Sequence, residues 1–240
     1  MGIRVASRDP GSRAGMRHLV WDWNGTLLDD FPLVIEATNV SLASVGGPVV
    51  TADEHRRTFR RPLIEYYADL LGRPVDLVEF EHLDRTFHDW YRTGLFGCEL
   101  AADALVALGA WSGTQSVLSM WSHAELVPEL ARRGLTGWLT RIDGRQGYAL
   151  GDLKATYLKR HLAALGLDGA DCVLVGDSVD DADAAAAVGA ACVLYAGGFT
   201  DIARLRDNGV PVVTTLVDAV ALAASRPGPV GAAPAGPNSD

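Results

Sequence analysis

Short apolar runs recur along the chain, and helical patterns separate most of them. Leu19–Asp22, Ser116–Met120, Leu139–Asp143, Cys172–Gly176, Ala191–Tyr195 and Pro211–Val213 read as strands. Alternation of this kind predicts an α/β fold with a Rossmann-like parallel sheet flanked by helices. The long stretch between the first two strand candidates has little strand signal and reads as helices. One should open near Phe31–Pro32, capped by Asp30, and end at Gly46–Gly47. Thr51–Glu54 reads TADE, a capping-box pattern that opens a second. Pro62 suits the first turn of a third, which Gly72 ends. From Asp76 to Arg92, the residues Leu77, Phe80, Leu83, Phe87 and Trp90 recur at spacings of three and four. That pattern predicts one apolar face of a long helix.

These helices predict an inserted all-helical cap domain. The expected division is a core at 16–30 and 97–224, a cap at 31–96, a disordered N-terminal arm at 1–15 and a disordered tail at 225–240. The arm lacks the apolar segment of a signal peptide, and Met16 is an alternative start. The tail is rich in Pro, Gly and Ala.

Composition narrows the partners. The 240 residues are 48% hydrophobic, enough for a well-buried core, and carry a net charge of −9. Such a chain repels nucleic acid and anionic membranes at long range. No nucleic-acid and no membrane partner is expected, and a partner carrying phosphate would need a bound metal or a placed lysine to overcome that field. The sequence leaves the oligomeric state open. Cys98, Cys172 and Cys192 are scattered and form no CxxC spacing, so neither a zinc site nor a disulfide framework is expected. A reducing, cytoplasmic location follows.

Chemistry in a parallel sheet gathers at the carboxyl ends of its strands. Asp22 ends the first strand candidate, Ser119 stands near the end of the second, Lys154 opens a helix, and Asp177 ends the fourth, with Asp180 and Asp181 beyond it. Asp22 and Asp177 can hold a hard cation such as Mg²⁺. The Ser119 hydroxyl and Lys154 ammonium can hold phosphate oxygens, and the backbone amides of Trp23–Gly25 can add a small anion nest. Each residue alone also has an ordinary reading. A strand-end aspartate commonly caps a turn, a helix-opening lysine is commonly solvated, and the acid run Asp177–Asp183 can complement a helix dipole. Their order, all at strand ends or helix starts, favours a site.

The segments DWNGTLLDD at 22–30 and GDSVDDADAAAAVG at 176–189 resemble the first and fourth motifs of the haloacid dehalogenase-like (HAD) superfamily, written DxDGT(L/V) and GDxxxD. Ser119 and Lys154 match its second- and third-motif residues. The resemblance runs from about Met16 to Ala224 and is nearest to the phosphoglycolate phosphatase-type branch with a C1 helical cap. It implies that Asp22 is a nucleophile forming an aspartyl-phosphate. It implies Mg²⁺ held by the Asp22 carboxylate, the Asn24 backbone carbonyl and Asp177, with Asp181 acting indirectly. Trp23, Gly25, Thr26, Ser119 and Lys154 would serve the phosphoryl group.

The family's phosphatases carry Asp where this chain has Asn24. That Asp protonates the leaving group and then activates water, help worth roughly 10²–10⁴-fold. An amide cannot cycle a proton at neutral pH, although Asn24 can still donate a hydrogen bond to a bridging oxygen. Four outcomes stay open: a good leaving group, a substitute acid among His123, Asp29 and Asp30, slow turnover, or a protein that is no longer a hydrolase. The leading function is a Mg²⁺-dependent phosphatase of a small phosphorylated metabolite. The alternatives are a phosphoryl-binding or regulatory domain with little turnover, or a phosphotransferase. In the cap, Arg60 and Arg61 could reach a substrate anion, or be solvated surface charges. Tyr66 and Tyr67 read as core, and Trp23 is the tryptophan expected to face the crevice rather than Trp21 or Trp121.

Overall fold

The computed structural model describes residues 17–147 and 153–225. The expected arm, and all but the first residue of the expected tail, lie outside the described residues. In chain order the elements are β1 (His18–Trp21), β2 (Leu28–Asp29), α1 (Phe31–Ala43), α2 (Ala52–Thr58), α3 (Leu63–Leu71), α4 (Leu77–Gly94), β3 (Glu99–Leu100), α5 (Ala104–Ala110) and β4 (Thr114–Ser122). They continue with α6 (His123–Arg132), β5 (Ile142–Arg145), α7 (Lys154–Leu165), β6 (Cys172–Gly176), α8 (Val179–Val188), β7 (Ala191–Tyr195), α9 (Ile202–Asp207), β8 (Val212–Val213) and α10 (Leu216–Ser225).

Six strands form a parallel sheet in the order β5-β4-β1-β6-β7-β8. The fold class read from the sequence is the one observed. Every residue of β1 is buried because helices cover both faces of the sheet. Leu19 and Trp21 point into one core with α5, α6 and α10. Val20 points into the other with α7, α8 and α9. The strand order reverses around β1, which opens a crevice at its carboxyl end.

Two strands fall where the apolar runs place them, at Cys172–Gly176 and Ala191–Tyr195. The run at Leu139–Asp143 becomes a strand only at Ile142–Arg145, because a 3₁₀ turn at Thr136–Trp138 occupies the approach. A short antiparallel ribbon has no counterpart in the sequence reading. It pairs Leu28 with Leu100 and Asp29 with Glu99. This ribbon ties together the two chain crossings between the sheet and the four helices α1–α4.

Those helices have their own core of Leu42, Val50, Tyr67, Val75, Phe80 and Leu83. The Thr51–Glu54 capping box forms, with Glu54 N donating to Thr51 Oγ1 at 3.2 Å and Thr51 N to Glu54 Oε2 at 2.8 Å. In α4 the buried face is Phe80, Leu83 and Tyr91, with Phe87 partly covered. Leu77 and Trp90, expected on that face, are 54% and 42% exposed. Tyr91, four residues beyond Phe87, continues the helical stripe better than Trp90 does. The helical insert closes against the sheet domain through polar bonds. Arg204 Nη1 donates to the Arg56 and Phe59 carbonyls at 2.9 Å each, and Arg92 pairs with Glu125 at 2.8 Å. Among the described residues, no helix is long and apolar enough to cross a membrane.

Candidate active site

The Asp22 amide donates to the Val175 carbonyl at 2.8 Å, which extends the β1–β6 pairing by one residue past β1. The chain then turns sharply, and Thr26 N and Leu28 N both donate to the Trp23 carbonyl. Gly25 sits in the turn at φ 71°. A Cβ there would lie 2.5 Å from Asp177 Oδ2, so the position requires glycine twice over. Asp177 follows β6 directly. Its Oδ1 accepts from Thr26 Oγ1 at 3.1 Å and its Oδ2 from Phe199 N at 2.7 Å. Lys154, the first residue of α7, places Nζ 2.9 Å from Asp22 Oδ1 and also bonds Asp181 Oδ1. Asp181 Oδ2 accepts from Ser178 N at 3.0 Å and Ser178 Oγ at 2.7 Å. The structure thus brings Asp22, Thr26, Lys154, Asp177 and Asp181 to one point.

Burial pushes the Asp22 carboxyl up to about 6, against the pull of the Lys154 ammonium. Burial also raises Asp177, and the charges of Asp22 and Asp181 add to that rise. Burial alone would weaken the charge on Lys154, but Asp181 and Asp22 overcome it and hold the ammonium above its ordinary range. Oxygens of Asp22, Asp177 and Asp181 lie within 4.8 Å of one another. One ammonium cannot balance three buried carboxylates. The donor set is all oxygen, which fits a hard divalent cation.

Asn24 is enclosed. Its Nδ2 donates to Asp30 Oδ2 at 2.9 Å and to Tyr91 Oη at 2.9 Å. Its Oδ1 accepts from Ser119 Oγ at 3.1 Å. Both amide hydrogens are therefore engaged, so the hydrogen bond expected from Asn24 to a bridging oxygen has no free donor here. Asp30 stands before α1 without capping it through its side chain. Its carboxylate turns back instead, accepting from Gly25 N at 2.8 Å and Tyr91 Oη at 2.6 Å. The Gly25 amide, expected to face an anion, faces this internal one. Burial pushes the Asp30 carboxyl up to about 6, against the bonds from Tyr91, Asn24 and Gly25. Asp30's inward turn and Tyr91 were not legible as site features. Continuing the α4 stripe to Tyr91 is the signal that could have found the second.

Above these groups lies a cavity of about 190 Å³ between the insert and the sheet domain. Asp22, Asn24, Ser119, Lys154 and Asp177 line its floor, and Arg61, Asp30 and Tyr91 also reach it. Arg61 Nε lies 3.5 Å from Asp180 Oδ2, bridging insert and core. Arg60 is on the insert's surface, paired with Glu65 and with Asp69 at 2.9 Å. Trp23 is fully buried in the core, and Trp121 lines the cavity in its place. Trp21 is in the core as well, its Nε1 donating to Gln115 Oε1 at 2.9 Å. Of the three substitute acids, only Asp30 lines the cavity. Asp29 is exposed in β2, and the His123 ring accepts from Gly144 N at 3.1 Å.

Ser116, His161 and Asp143 form a second array with a hydrolase-like order. Ser116 Oγ meets His161 Nε2, and His161 Nδ1 meets Asp143 Oδ2, at 2.7 Å each. Ser116 is fully buried, bonded on its other side by His18 at 2.7 Å, and none of the three lines the cavity. This is an internal strut.

The comparisons with known proteins agree with this geometry. A HAD-hydrolase-like family model matches residues 149–219. A haloacid dehalogenase-like hydrolase of Streptococcus pneumoniae superposes with a TM-score of 0.75 at 16% identity, covering 86% of this chain and 98% of that one. The chain is similar to HAD-like hydrolases over residues 149–219 and in its fold. Its sequence likeness is of the phosphoglycolate phosphatase type, at low identity. A phosphoglycolate phosphatase of Mesorhizobium japonicum is 27% identical over 190 residues, 76% of this chain and 84% of the relative. One of Xylella fastidiosa is 28% identical over 205 residues, 80% and 85% of the two chains.

Proposed function

We propose that the chain is a Mg²⁺-dependent phosphatase that hydrolyses a small phosphorylated metabolite through an aspartyl-phosphate on Asp22. The observation that carries this is the convergence of Asp22, Asp177 and Asp181 beside Lys154. Asp22, Asp177 and the Asn24 backbone carbonyl would hold the ion, with Asp181 acting indirectly. When bound, it would neutralise charge on the phosphoryl oxygens. Asp22 attacks phosphorus, and its position beside Lys154 keeps a cation next to the developing charge. Lys154 and Ser119 hold phosphoryl oxygens, Ser119 exchanging its bond to Asn24 for one to the substrate. Thr26 and the Phe199 amide fix Asp177. The helical insert acts as the cap, and closing it excludes water that would compete for these groups.

Asn24 favours a second reading, a phosphoryl-binding domain or phosphotransferase with slow hydrolysis. Three free cysteines support a reducing, cytoplasmic setting. The test is incubation with Mg²⁺ and a panel of phosphate esters and acyl phosphates, following phosphate release and covalent mass on Asp22. Release that disappears in Asp22→Asn is the expected result. A stable mass increase with no release from any substrate selects the second reading. Full activity in Asp22→Asn overturns the mechanism.

A further inference from the structure

Two independent features bear on what the phosphate is attached to. One is the leaving-group side of the site. Asn24 has neither a titrating proton nor a free amide hydrogen, since Asp30 and Tyr91 take both. An oxygen leaving here departs with its electron pair and without a proton from position 24. An alkoxide leaves poorly that way. A phenolic oxygen, with a pKa near tyrosine's value of about 10, leaves far more readily.

The other is the cavity wall. Two aromatic clusters line it. Phe59 and Tyr66 meet edge-on at 5.4 Å with Phe199 6.1 Å from Phe59. Phe87 stacks on Tyr91 at 5.8 Å, and Tyr91 meets Trp121 at 5.9 Å. Charged side chains also reach the cavity: Arg61 pairs with Asp180 at 3.5 Å, Asp84 lies 3.6 Å from the His88 ring, and Arg145 Nη1 donates to the Gly147 carbonyl at 3.4 Å. His55 also lines the cavity, and burial pushes its ring down to about 4, so it is neutral. Its Nε2 and Trp121 Nε1 are buried without hydrogen-bond partners among the described residues. Such a wall suits a flat, uncharged ring with a neutral polar substituent.

We infer that the substrate is an aryl phosphate, a phosphate monoester of a phenolic hydroxyl on an uncharged ring held between the Phe59–Tyr66 and Phe87–Trp121 walls. The inference rests on the phosphatase reading and specifies its substrate class. Asp22 Oδ forms a bond to phosphorus as the P–O(aryl) bond breaks, and the electron pair leaves on the aryloxide. Water then cleaves the aspartyl-phosphate, restoring the Asp22 carboxylate. The proton that this water releases with the phosphate ends on the aryloxide, so phenol and hydrogen phosphate are the products.

The test compares kcat/KM for 1-naphthyl phosphate, benzyl phosphate, 2-phosphoglycolate and acetyl phosphate with Mg²⁺ present. Naphthyl phosphate should exceed both alkyl esters by at least about 100-fold, the scale of the missing general acid. Acetyl phosphate has a good leaving group and no ring, so its release reports the phosphoryl chemistry alone. If acetyl phosphate is cleaved and 2-phosphoglycolate equals naphthyl phosphate, the inference falls and the phosphatase stands. No release from any of the four overturns both. A series of substituted phenyl phosphates on the unaltered protein adds a second measurement. Rates should fall steeply with leaving-group pKa, and a flat dependence would show that a proton is supplied. Phe87→Ala should lower the naphthyl-to-acetyl ratio of kcat/KM by roughly 10-fold, about one lost ring contact. An unchanged ratio overturns the wall assignment.

Discussion

Asn24 Nδ2 donates to Asp30 Oδ2 at 2.9 Å, so the amide beside Asp22 is held by a buried carboxylate six residues on. This pairing decides what Asn24→Asp does. The single change sets two carboxylates against each other in a buried site, and one must take a proton or move. The expected outcome at pH 8 is a stability loss of about 1–3 kcal/mol, read by urea unfolding, with little gain in ester hydrolysis. The exchange Asn24→Asp with Asp30→Asn keeps a donor facing an acceptor, and it also keeps an acceptor for Gly25 N. It should recover the lost stability and raise alkyl-ester turnover by roughly 10²-fold or more, the lower range for general acid–base help. A double-mutant cycle in which the two changes simply add would show that the contact does not couple them.

The raised carboxyls would set the pH range of the proposed metal binding. Asp22 is pushed up to about 6, and Asp177 is raised also. Each must be ionised to hold a cation, so binding displaces protons once the pH falls into the range where these carboxyls are protonated. Mg²⁺ affinity should therefore rise with pH through about 6. At pH 5 it should be at least about 10-fold weaker than at pH 7.5, one unit below a single pKa. The Mg²⁺-induced shift in Tm at fixed concentration checks it. A shift independent of pH would show that these carboxylates do not hold the ion.

The sheet was legible because a strand buried on both faces must be apolar along its whole length, as Cys172–Gly176 is. The β2–β3 ribbon was not, since two-residue strands such as Leu28–Asp29 carry no periodicity. Asp22, Lys154, Asp177 and Asp181 could be found from order alone: the ends of parallel strands converge whatever lies between them. What the sequence could not show is side-chain direction. Asp30 stands where a cap belongs, and the Tyr91 hydroxyl, the buried Gly25 amide and the Asn24 side chain turn it inward. Trp23 and Trp121 exchanged their expected places for the same reason. Successive residues near a strand end face opposite ways, and the bend after Asp22 resets which of them meets the crevice.

Gly25 and Gly46 separate local strain from site geometry. Both adopt left-handed backbone, at φ 71° and 72°. A Cβ on Gly46 meets nothing within 4 Å, whereas one on Gly25 presses on Asp177 Oδ2 and Phe199. Gly46→Ala should cost about 1 kcal/mol from backbone strain, with phosphate release retained. Gly25→Ala should cost more and lower kcat/KM by at least about 100-fold, because it displaces Asp177 and the turn that carries Asp22. Equal activity in the two variants would mean that the close approach at Gly25 is not needed.

His18 makes the acid limit of stability testable. Its ring bonds Thr114 Oγ1 and Ser116 Oγ at 2.7 Å each. Burial, with His161 nearby, pushes it down to about 4. The unfolded chain, with a histidine value of about 6.5, therefore binds the extra proton first. The stability from the neutral ring is complete above about 6.5 and is lost as pH falls toward 4. Asp30 works in the opposite sense. Its folded value of about 6 means the native state holds an extra proton between roughly 4 and 6, which partly offsets the loss. His18→Gln keeps a donor and an acceptor for the two hydroxyls but cannot titrate. It should be less stable than the unaltered protein at pH 7.5, by about 1–2 kcal/mol for imperfect packing. Between pH 6.5 and 4.5 it should lose less stability than the unaltered protein does. Urea unfolding across that range reads both effects, and parallel pH profiles for the two proteins would show that His18 is not among the groups that set the acid limit.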